Sequence, residues 1–445
     1  MGGLAIPAMF GFSWLAWRNS LTAHFAAAFM AVSPYGIYLA QEARHYTLSI
    51  LWIIASLSCM MVAIDRLSRR QRIPWLLVLV WIVINALGMA THYFFCLALA
   101  LEGFVAIGFW FWQNRDRQNR LSWNYWLPLV VVGLGSLAAC LVWLPVASSI
   151  SDNELTDWIE TSYDSDEIWL PLFRLLAWLI TMVAFLPVEG TPLAVTITSG
   201  VIILGGMVWT IPKFITIWRW LLTQPNNLTA KLLTGYITGA IALYLFLIYG
   251  YGKDVSLAAR YHFVYFPVIL VILAAILGQL WQQIETKKIV VAMLIIGFLG
   301  SLTVANDLGF KKSRRANGMA QHIQKVSPQK TIVVATMVFC PQKTIVATTY
   351  DTHSQLREAI ALALAFKTNS SIKPAEIPDF LLLERDDNSK RRLQEILASQ
   401  PKPLNLWDVN LKIYNSYLSR INCMEKRQHR LDDSGYKNRL YHCYN

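Results

Sequence analysis

Long apolar segments alternate with short polar ones from the start of the chain to residue 305. Ten of these segments approach the length of about 20 residues with which a helix crosses a bilayer, so the pattern predicts ten membrane-crossing helices. They are residues 3–17, 21–39, 46–64, 74–91, 93–112, 125–147, 192–211, 231–250, 262–281 and 288–305. An eleventh apolar segment, 169–187, begins with Trp169 and carries Arg174 near its start, which is typical of a helix on the membrane surface.

Loops rich in lysine and arginine predict the orientation of these helices, because such loops favour the cytoplasmic side. The basic loops are residues 65–72, 114–120, 212–231 and 285–288. Loop 148–168 has seven acidic residues and no basic one, which favours the opposite side. These assignments agree only if segment 169–187 does not cross the membrane. The outer face then carries four segments from distant parts of the chain: 40–46, 91–95, 148–190 and 250–267.

The pattern changes after residue 305, where short alternating strand-like and helix-like segments predict a small α/β domain. The strand-like segments are 330–339, 343–353, 379–387 and 404–411, and the helix-like segments are 354–366, with Ser354 as its N-cap, and 389–399. We therefore predict a mainly α polytopic membrane helical bundle over residues 1–305 and a C-terminal α/β domain over residues 306–445.

The number of crossings places the C-terminal domain outside the cytoplasm, where an oxidising compartment would allow Cys423 and Cys443 to pair. The basic segment 311–315 favours the opposite side. We retain the outer placement because long domains cross a membrane largely regardless of such charge.

Composition agrees with a membrane protein. The 445 residues are 55% hydrophobic and 15% charged, whereas about a quarter of the residues are charged in an average soluble domain. The net charge of +12 does not point to a nucleic-acid partner, because lysine and arginine cluster in the short loops between the apolar segments. The sequence has no phosphate-cradling glycine loop and no metal-ligand spacing of histidine and cysteine, so we assign neither a nucleotide site nor a metal site.

Candidate chemistry lies in the polar segments of the outer face. The first group is Gln41, Glu42, Arg44 and Tyr46. An arginine presents a planar fork of donors that fits phosphate oxygens, and the neighbouring amide and carboxylate can orient it or bind sugar hydroxyls. The alternative is that the arginine reaches lipid headgroups and the tyrosine belongs to the aromatic belt at the membrane surface.

The same two interpretations, ligand binding and anchoring at the membrane surface, apply to two further groups. Lys253, Arg260 and Tyr261 precede segment 262–281, and His92 and Tyr93 lie between two predicted crossings. Basic side chains here would hold another part of an anionic lipid head, or they anchor the helix ends. Glu102 lies inside a predicted crossing, and such a carboxylate usually faces the bundle interior, in a functional or a structural role.

Four motifs carry a resemblance. "SPYGIYLAQEARHYTL" begins at Ser33, "THYF" at Thr91, "ARY" at Ala259, and "LWDVNL" at Leu406 is followed by the two C-terminal cysteines. In this order they resemble bacterial family 39-type glycosyltransferases with the GT-C fold, which are related to protein mannosyltransferases and aminoarabinose transferases. The C-terminal part is similar to the extra domain of cyanobacterial members.

The resemblance implies transfer of a hexosyl or pentosyl group from a polyprenyl-phosphate carrier to a glycan, lipid or protein acceptor at the outer face of the plasma membrane. Arg44, Arg260 and Lys253 would then neutralise the lipid phosphate. The family's catalytic carboxylate is expected in an outer loop upstream of Met1, so we assign no catalytic residue and leave activity of the sequence as written undecided. A divalent cation is the one cofactor that the resemblance leaves open.

Two non-enzymatic alternatives follow from the same pattern. One is a translocase or transporter of lipid-linked sugars, which should show internal repeats with broken helices near mid-membrane. The sequence shows no such repeat, and its polar residues gather at one face. The other is a cell-envelope protein that uses the α/β domain to bind a protein partner.

Overall fold

The computed structural model divides the chain into two compact units, Met1–Phe310 and Lys311–Asn445. It describes residues 2–42, 45–115, 120–145, 168–187, 192–225, 227–306, 308, 316–327, 333–334, 337–338, 343–350, 353–368, 377–384, 389–409, 418, 422–426 and 438–444. The statements below concern these residues, and each unit is considered by itself.

The first unit is built of helices. They are α1 (Gly2–Trp17), α2 (Ser20–Val32), α3 (Pro34–Gln41), α4 (Tyr46–Ser68), α5 (Trp75–Thr91), α6 (Phe95–Asn114), α7 (Trp123–Val142), α8 (Leu170–Thr181), α9 (Leu193–Thr223), α10 (Leu228–Leu245), α11 (Phe266–Trp281) and α12 (Ile284–Ala305). A π-helical turn, Phe246–Gly250, extends α10, and two short 3-10 helices, Val255–Leu257 and Ala259–Val264, precede α11.

Six of the described helices are long and apolar enough to cross a membrane: α4, α6, α7, α9, α10 with its π-helical turn, and α12. Helices α2 and α3 also pass this test together, although the chain bends by 52° between them. Helices α1, α5 and α11 are apolar and 16 or 17 residues long. Helix α8 has only 12 residues, about 18 Å, which is too short to cross the apolar part of a bilayer. The chain is therefore a multi-pass membrane protein of the predicted, mainly helical class.

The bend between α2 and α3 has a local cause. Pro34 lacks the N–H that would continue the hydrogen bonds of α2, so the helix ends at Val32. Ser33 then caps α3, because its Oγ accepts a hydrogen bond from the Gly36 N–H at 3.0 Å. The same hydroxyl donates to the Met182 carbonyl at 2.7 Å, which ties the bend to the end of α8.

Helix α9 corrects one prediction. The sequence predicts that a crossing ends at residue 211 and that a loop follows, but α9 continues through Pro212 to Thr223. The reason is the apolar spacing after the proline. Phe214, Ile217, Trp218 and Leu221 recur at helical intervals and pack inward, so tertiary contacts sustain the helix beyond Pro212.

A buried polar network joins four helices of the bundle. Ser56 of α4 donates to Glu102 of α6 at 2.7 Å and lies 2.7 Å from Asn85 of α5, while Trp81 donates to the Ser56 hydroxyl at 2.9 Å. The Asn85 amide also donates to Ser136 of α7 at 2.8 Å. Glu102 therefore faces the bundle interior, and its Oε1 has no hydrogen-bond partner among the residues that the structure describes.

The second unit is a five-stranded sheet in the order β4-β3-β5-β7-β6. Strands β3 (Lys343–Tyr350), β4 (Asp379–Glu384) and β5 (Leu404–Val409) are parallel. Strand β7 (Asn438–Cys443) pairs antiparallel with β5, and β6 (Cys423–Glu425) pairs antiparallel with β7 at the sheet edge. The sequence predicts one strand over residues 330–339. The structure instead has two strands of two residues each, β1 (Val333–Val334) and β2 (Met337–Val338), which pair antiparallel with each other.

Helices cover both faces of this sheet. They are α13 (Ala316–Val326), α14 (His353–Thr368) and α15 (Ser389–Ala398). Successive strand residues enter opposite cores, since Leu406 packs in the core that contains Leu393 of α15, and Trp407 packs in the core that contains Phe366 of α14. Helix α14 begins at His353, so Ser354 lies in its first turn and is not the predicted cap. Cys423 and Cys443 are joined by a disulfide.

Candidate functional site

Three segments that are distant in sequence, and that the sequence predicts on the outer face, meet at one end of the helical bundle. The Tyr35 hydroxyl of α3 donates to the Ala259 carbonyl at 2.7 Å, which fixes the 3-10 helix Ala259–Val264 against α3. The ring of Tyr46 lies 5.3 Å from His92 and 5.9 Å from Phe263, and His92 lies 5.2 Å from Phe263. The loop before α4, the turn before α6 and the segment before α11 therefore pack together.

We refer to the side chains at this meeting point as the rim cluster. Its members are Tyr38, Glu42, Tyr46, His92, Tyr93, Phe94, Arg260 and Tyr261.

Glu42 ends α3, and its side chain is already engaged. Its carboxylate Oε1 accepts a hydrogen bond from the Tyr38 hydroxyl at 3.0 Å, and its N–H bonds to the Tyr38 carbonyl. Gln41 is the last residue of α3 and is exposed. Arg44 and its neighbour Ala43 lie outside the described residues, so the predicted role of Arg44 stays a prediction.

Arg260 places a half-buried positive charge in the rim cluster. Its guanidinium carbon lies 5.3 Å from the centre of the Tyr261 ring, and that ring stacks on Phe94 with 4.6 Å between centroids. Burial opposes the charged form, but Tyr261, Tyr46 and Tyr38 together hold the pKa of Arg260 above its ordinary value. The group is thus permanently cationic and partly shielded from water, which strengthens its attraction for an anion.

His92 and Tyr93 form the wall of the rim cluster beside Tyr46. The Nδ1 atom of His92 accepts a hydrogen bond from the Phe94 N–H at 3.0 Å, so its proton in the neutral ring is on Nε2. The rings of His92 and Tyr93 stack with 4.9 Å between their centroids. His92 is buried and Tyr93 is 42% exposed, so the histidine orients the turn and the tyrosine presents its ring to the outside.

Lys253 lies before the rim cluster, beside a buried ion pair that the sequence did not predict. Asp254 is fully buried, and its carboxylate accepts hydrogen bonds from Arg174 of α8 at 2.9 Å and from the Ser256 N–H at 2.9 Å. Trp178 of α8 donates to the Ser256 carbonyl at 2.7 Å. The sequence gives a single indication of this pair: Arg174 and Asp254, 80 residues apart, carry opposite charges in two segments that are both predicted on the outer face.

His262 lies between the rim cluster and the Arg174–Asp254 ion pair. The side chain is fully buried between Trp178 and Tyr244, with ring centroids 5.5 Å and 5.6 Å away. Its Nδ1 lies 2.8 Å from the Tyr265 hydroxyl, and its Nε2 has no hydrogen-bond partner among the described residues. Together the ion pair and His262 hold α8 on the segment that carries Arg260.

This arrangement can bind an anion but does not by itself supply a metal centre. Within the described ranges, no group of three or more histidine, cysteine, aspartate or glutamate side chains is placed to hold a metal ion. The rim cluster offers one half-buried cation and the exposed ring of Tyr93, beside buried tyrosine and histidine rings. Such a set suits a phosphate beside a ring-shaped ligand, because a cation attracts phosphate oxygens and an aromatic ring packs on a sugar face.

Comparison with known proteins gives similarity in fold only. No protein-family model matches the chain, and no curated protein sequence is detectably similar to it. Among solved structures the chain is similar to ArnT from Cupriavidus metallidurans bound to undecaprenyl phosphate, with 12% identity and a TM-score of 0.47 over 99% of this chain and 83% of that one.

A second similarity is to the oligosaccharyltransferase AglB from Archaeoglobus fulgidus, solved in complex with an inhibitory peptide and a dolichol-phosphate. The identity is 14% and the TM-score is 0.39, over 81% of this chain and 52% of that one. Identities this low leave the substrate and the reaction of this chain to be decided by its own residues.

Proposed function

We propose that this protein is a membrane glycosyltransferase whose rim cluster binds the phosphate of a polyprenyl-phosphate sugar donor. The sugar would be a hexosyl or pentosyl group, transferred to a glycan, lipid or protein acceptor at the outer face of the plasma membrane. The observation that carries the proposal is that Arg260, Tyr46 and His92, which belong to the three bundle segments with the family-like motifs, meet at one end of the bundle.

The chemical role of Arg260 follows from its setting. As the bond between sugar and phosphate breaks, negative charge grows on the phosphate oxygens. A fixed cation in a partly dry site stabilises that charge more than water does, because it needs no reorganisation. Arg44 and Lys253 are proposed to contribute further positive charge to the same lipid phosphate.

The aromatic part of the rim cluster would position the sugar. Tyr46 is buried against His92, while Tyr93 presents an exposed ring beside it. We assign no base for the acceptor hydroxyl, because the carboxylates of Glu42 and Asp254 already accept hydrogen bonds from Tyr38, Arg174 and Ser256.

The orientation belongs to the same proposal. The disulfide between Cys423 and Cys443 supports an extracytoplasmic second unit, since disulfides persist in oxidising compartments. The rim cluster would face the same side, so that donor and acceptor meet outside the cytoplasm.

The test is sugar transfer from labelled polyprenyl-phosphate donors in membranes of the native cell, with the gene at its own locus. Arg260→Ala is expected to lower transfer by about 100-fold at unchanged protein level, the usual loss when one electrostatic stabiliser is removed. Arg72→Ala, which removes an exposed arginine from the loop after α4, serves as the matched control. Transfer at the control rate by the Arg260 variant would contradict the proposal.

A further inference from the structure

A polar cavity lies at the opposite end of the bundle from the rim cluster. Its volume is about 570 Å³, and it is bounded by the C-terminal half of α9 and the turn between α11 and α12. Helix α11 begins at Phe266, beside the segment that carries Arg260, and ends at Trp281. Its 16 residues span about 24 Å, so the cavity and the rim cluster lie at opposite membrane surfaces.

The polar lining of this cavity combines one cation with uncharged donors and acceptors. The polar side chains are Lys213, Thr216, Gln279, Gln282, Gln283 and Thr286. Lys213 donates to the Trp209 carbonyl at 3.2 Å, and its ammonium lies 5.4 Å from the centre of the Trp209 ring. An ammonium has three donors, so it can bind an anion while it keeps this contact.

An apolar groove of about 300 Å³ lies next to the polar cavity, between α9, α11, α12 and the C-terminal part of α8. On α9 the groove reaches Ile211, which is followed directly by Pro212 of the cavity, and on α12 it begins at Ile289, one turn after Thr286 of the cavity. Aliphatic side chains make up most of its lining, and Gly206 leaves its floor open. The polar cavity therefore lies at the membrane surface, and the apolar groove extends from it toward the middle of the bilayer.

Charge at this end of the bundle favours an anionic occupant. Arg219, Lys287 and Lys288 lie on the same helix ends as the cavity, against one acidic residue, Glu285. The ammonium of Lys287 lies 5.4 Å from the Trp281 ring, so tryptophan and lysine mark a membrane surface here too. Basic groups at such a surface attract the headgroups of anionic lipids.

We propose that this crevice between α9 and α11–α12 binds an anionic phospholipid of the leaflet opposite to the rim cluster. The lipid phosphate contacts Lys213, the headgroup hydroxyls contact the glutamine and threonine side chains, and one acyl chain occupies the groove. The site is separate from the proposed donor site, and it does not depend on the glycosyltransferase function.

Retention of phosphatidylglycerol by the purified full-length protein, measured by native mass spectrometry against phosphatidylcholine, tests this site. Lys213→Gln is expected to reduce phosphatidylglycerol retention about fivefold, the factor that corresponds to one basic contact at a membrane surface. Lys231→Gln is the matched control, because Lys231 also lies 5.4 Å from a tryptophan ring, that of Trp112, but does not line the cavity.

A second pair of variants tests the acyl-chain groove without touching a charge. A Cβ atom added at Gly206 meets no atom within 4 Å, so Gly206→Leu can place its side chain in the groove and is expected to reduce retention to a similar degree. A Cβ atom at Gly200 on the same helix meets none either, and Gly200 does not line the groove, so Gly200→Leu is the control.

Three results would overturn the proposal. One is wild-type retention by both Lys213→Gln and Gly206→Leu. Another is equal retention of the two phospholipids by the wild-type protein. The third is displacement of the lipid by glycerol phosphate, which would identify a site for free phosphate esters and not for a lipid. Failure of sugar transfer would leave this lipid site unaffected.

Discussion

Arg260 is the residue on which the proposed chemistry depends most. Its cation is half-buried among tyrosine rings, and the segment that carries it is held in place by the Tyr35 hydroxyl on one side and by α8 on the other. Removing the charge should therefore affect binding and transfer while leaving the segment where it is. Replacing Tyr35 should instead loosen the segment, because the buried Tyr35 hydroxyl donates to the Ala259 carbonyl and its ring packs on Phe266, directly after the segment.

Glu102 provides a test of the buried polar network at the residue scale. Glu102→Ala removes the partner of Ser56 and leaves a cavity among four helices, so we expect a loss of about 2 kcal/mol in the free energy of unfolding. Glu102→Gln keeps the shape and an acceptor for Ser56, and we expect stability near that of the wild type. Thermal unfolding in detergent measures both variants.

The control for Glu102 is Ile107→Ala on the same helix. Ile107 is 58% exposed within the bundle, so its truncation should change stability little. Equal loss of stability in Glu102→Gln and Glu102→Ala would show that the charge of the carboxylate, and not its shape, matters at this position.

At the scale of single elements, a few buried contacts hold α8 to the segment before α11 that carries Arg260. Arg174→Ala leaves the buried carboxylate of Asp254 without its ionic partner, which typically costs about 3 kcal/mol. We expect faster hydrogen exchange of the α8 amides and lower sugar transfer, because the segment that carries Arg260 loses a support. Phe173→Ala on the exposed face of α8 is the control.

The double variant Arg174→Ala with Asp254→Ala separates the ion pair from general damage. Its loss should be clearly smaller than the combined losses of the two single variants, since no charge is left buried and unpaired. Stability losses that add strictly in the double variant would refute a direct coupling between α8 and the segment that carries Arg260.

The sequence predicts elements better than it predicts their partners. Apolar length alone located the helices, yet it missed the continuation of α9 beyond Pro212, which depends on inward packing of Phe214 and Ile217. The orientation rule predicts that Tyr46, His92 and Arg260 share one face of the bundle, and this assignment to the outer face stays a prediction. The bond from Tyr38 to Glu42 and the Arg174–Asp254 pair were not predicted, because side-chain geometry and contacts over 80 residues leave no local pattern.

At the scale of the whole molecule, we propose two lipid sites at opposite surfaces of the bundle and an α/β unit outside the cytoplasm. The outer placement can be tested with Cys423 and Cys443 as the only cysteines of the chain. In intact cells we expect both to be protected from maleimide until a reductant is added. Because Cys443 is buried, the side is measured with Tyr444→Cys added to this chain: position 444 is 49% exposed, so its thiol should react with a membrane-impermeant maleimide in intact cells. Free thiols that only a permeant reagent reaches would place the unit inside the cytoplasm.

The most direct test of the rim cluster is photocrosslinking with a polyprenyl phosphate that carries a photoreactive group on the isoprene unit next to the phosphate. The account predicts labelled peptides from residues 38–46, 92–94 and 259–264, and loss of this labelling in Arg260→Ala but not in Arg72→Ala. Labelling confined to the crevice between α9 and α12, or labelling unchanged in the Arg260 variant, would contradict it.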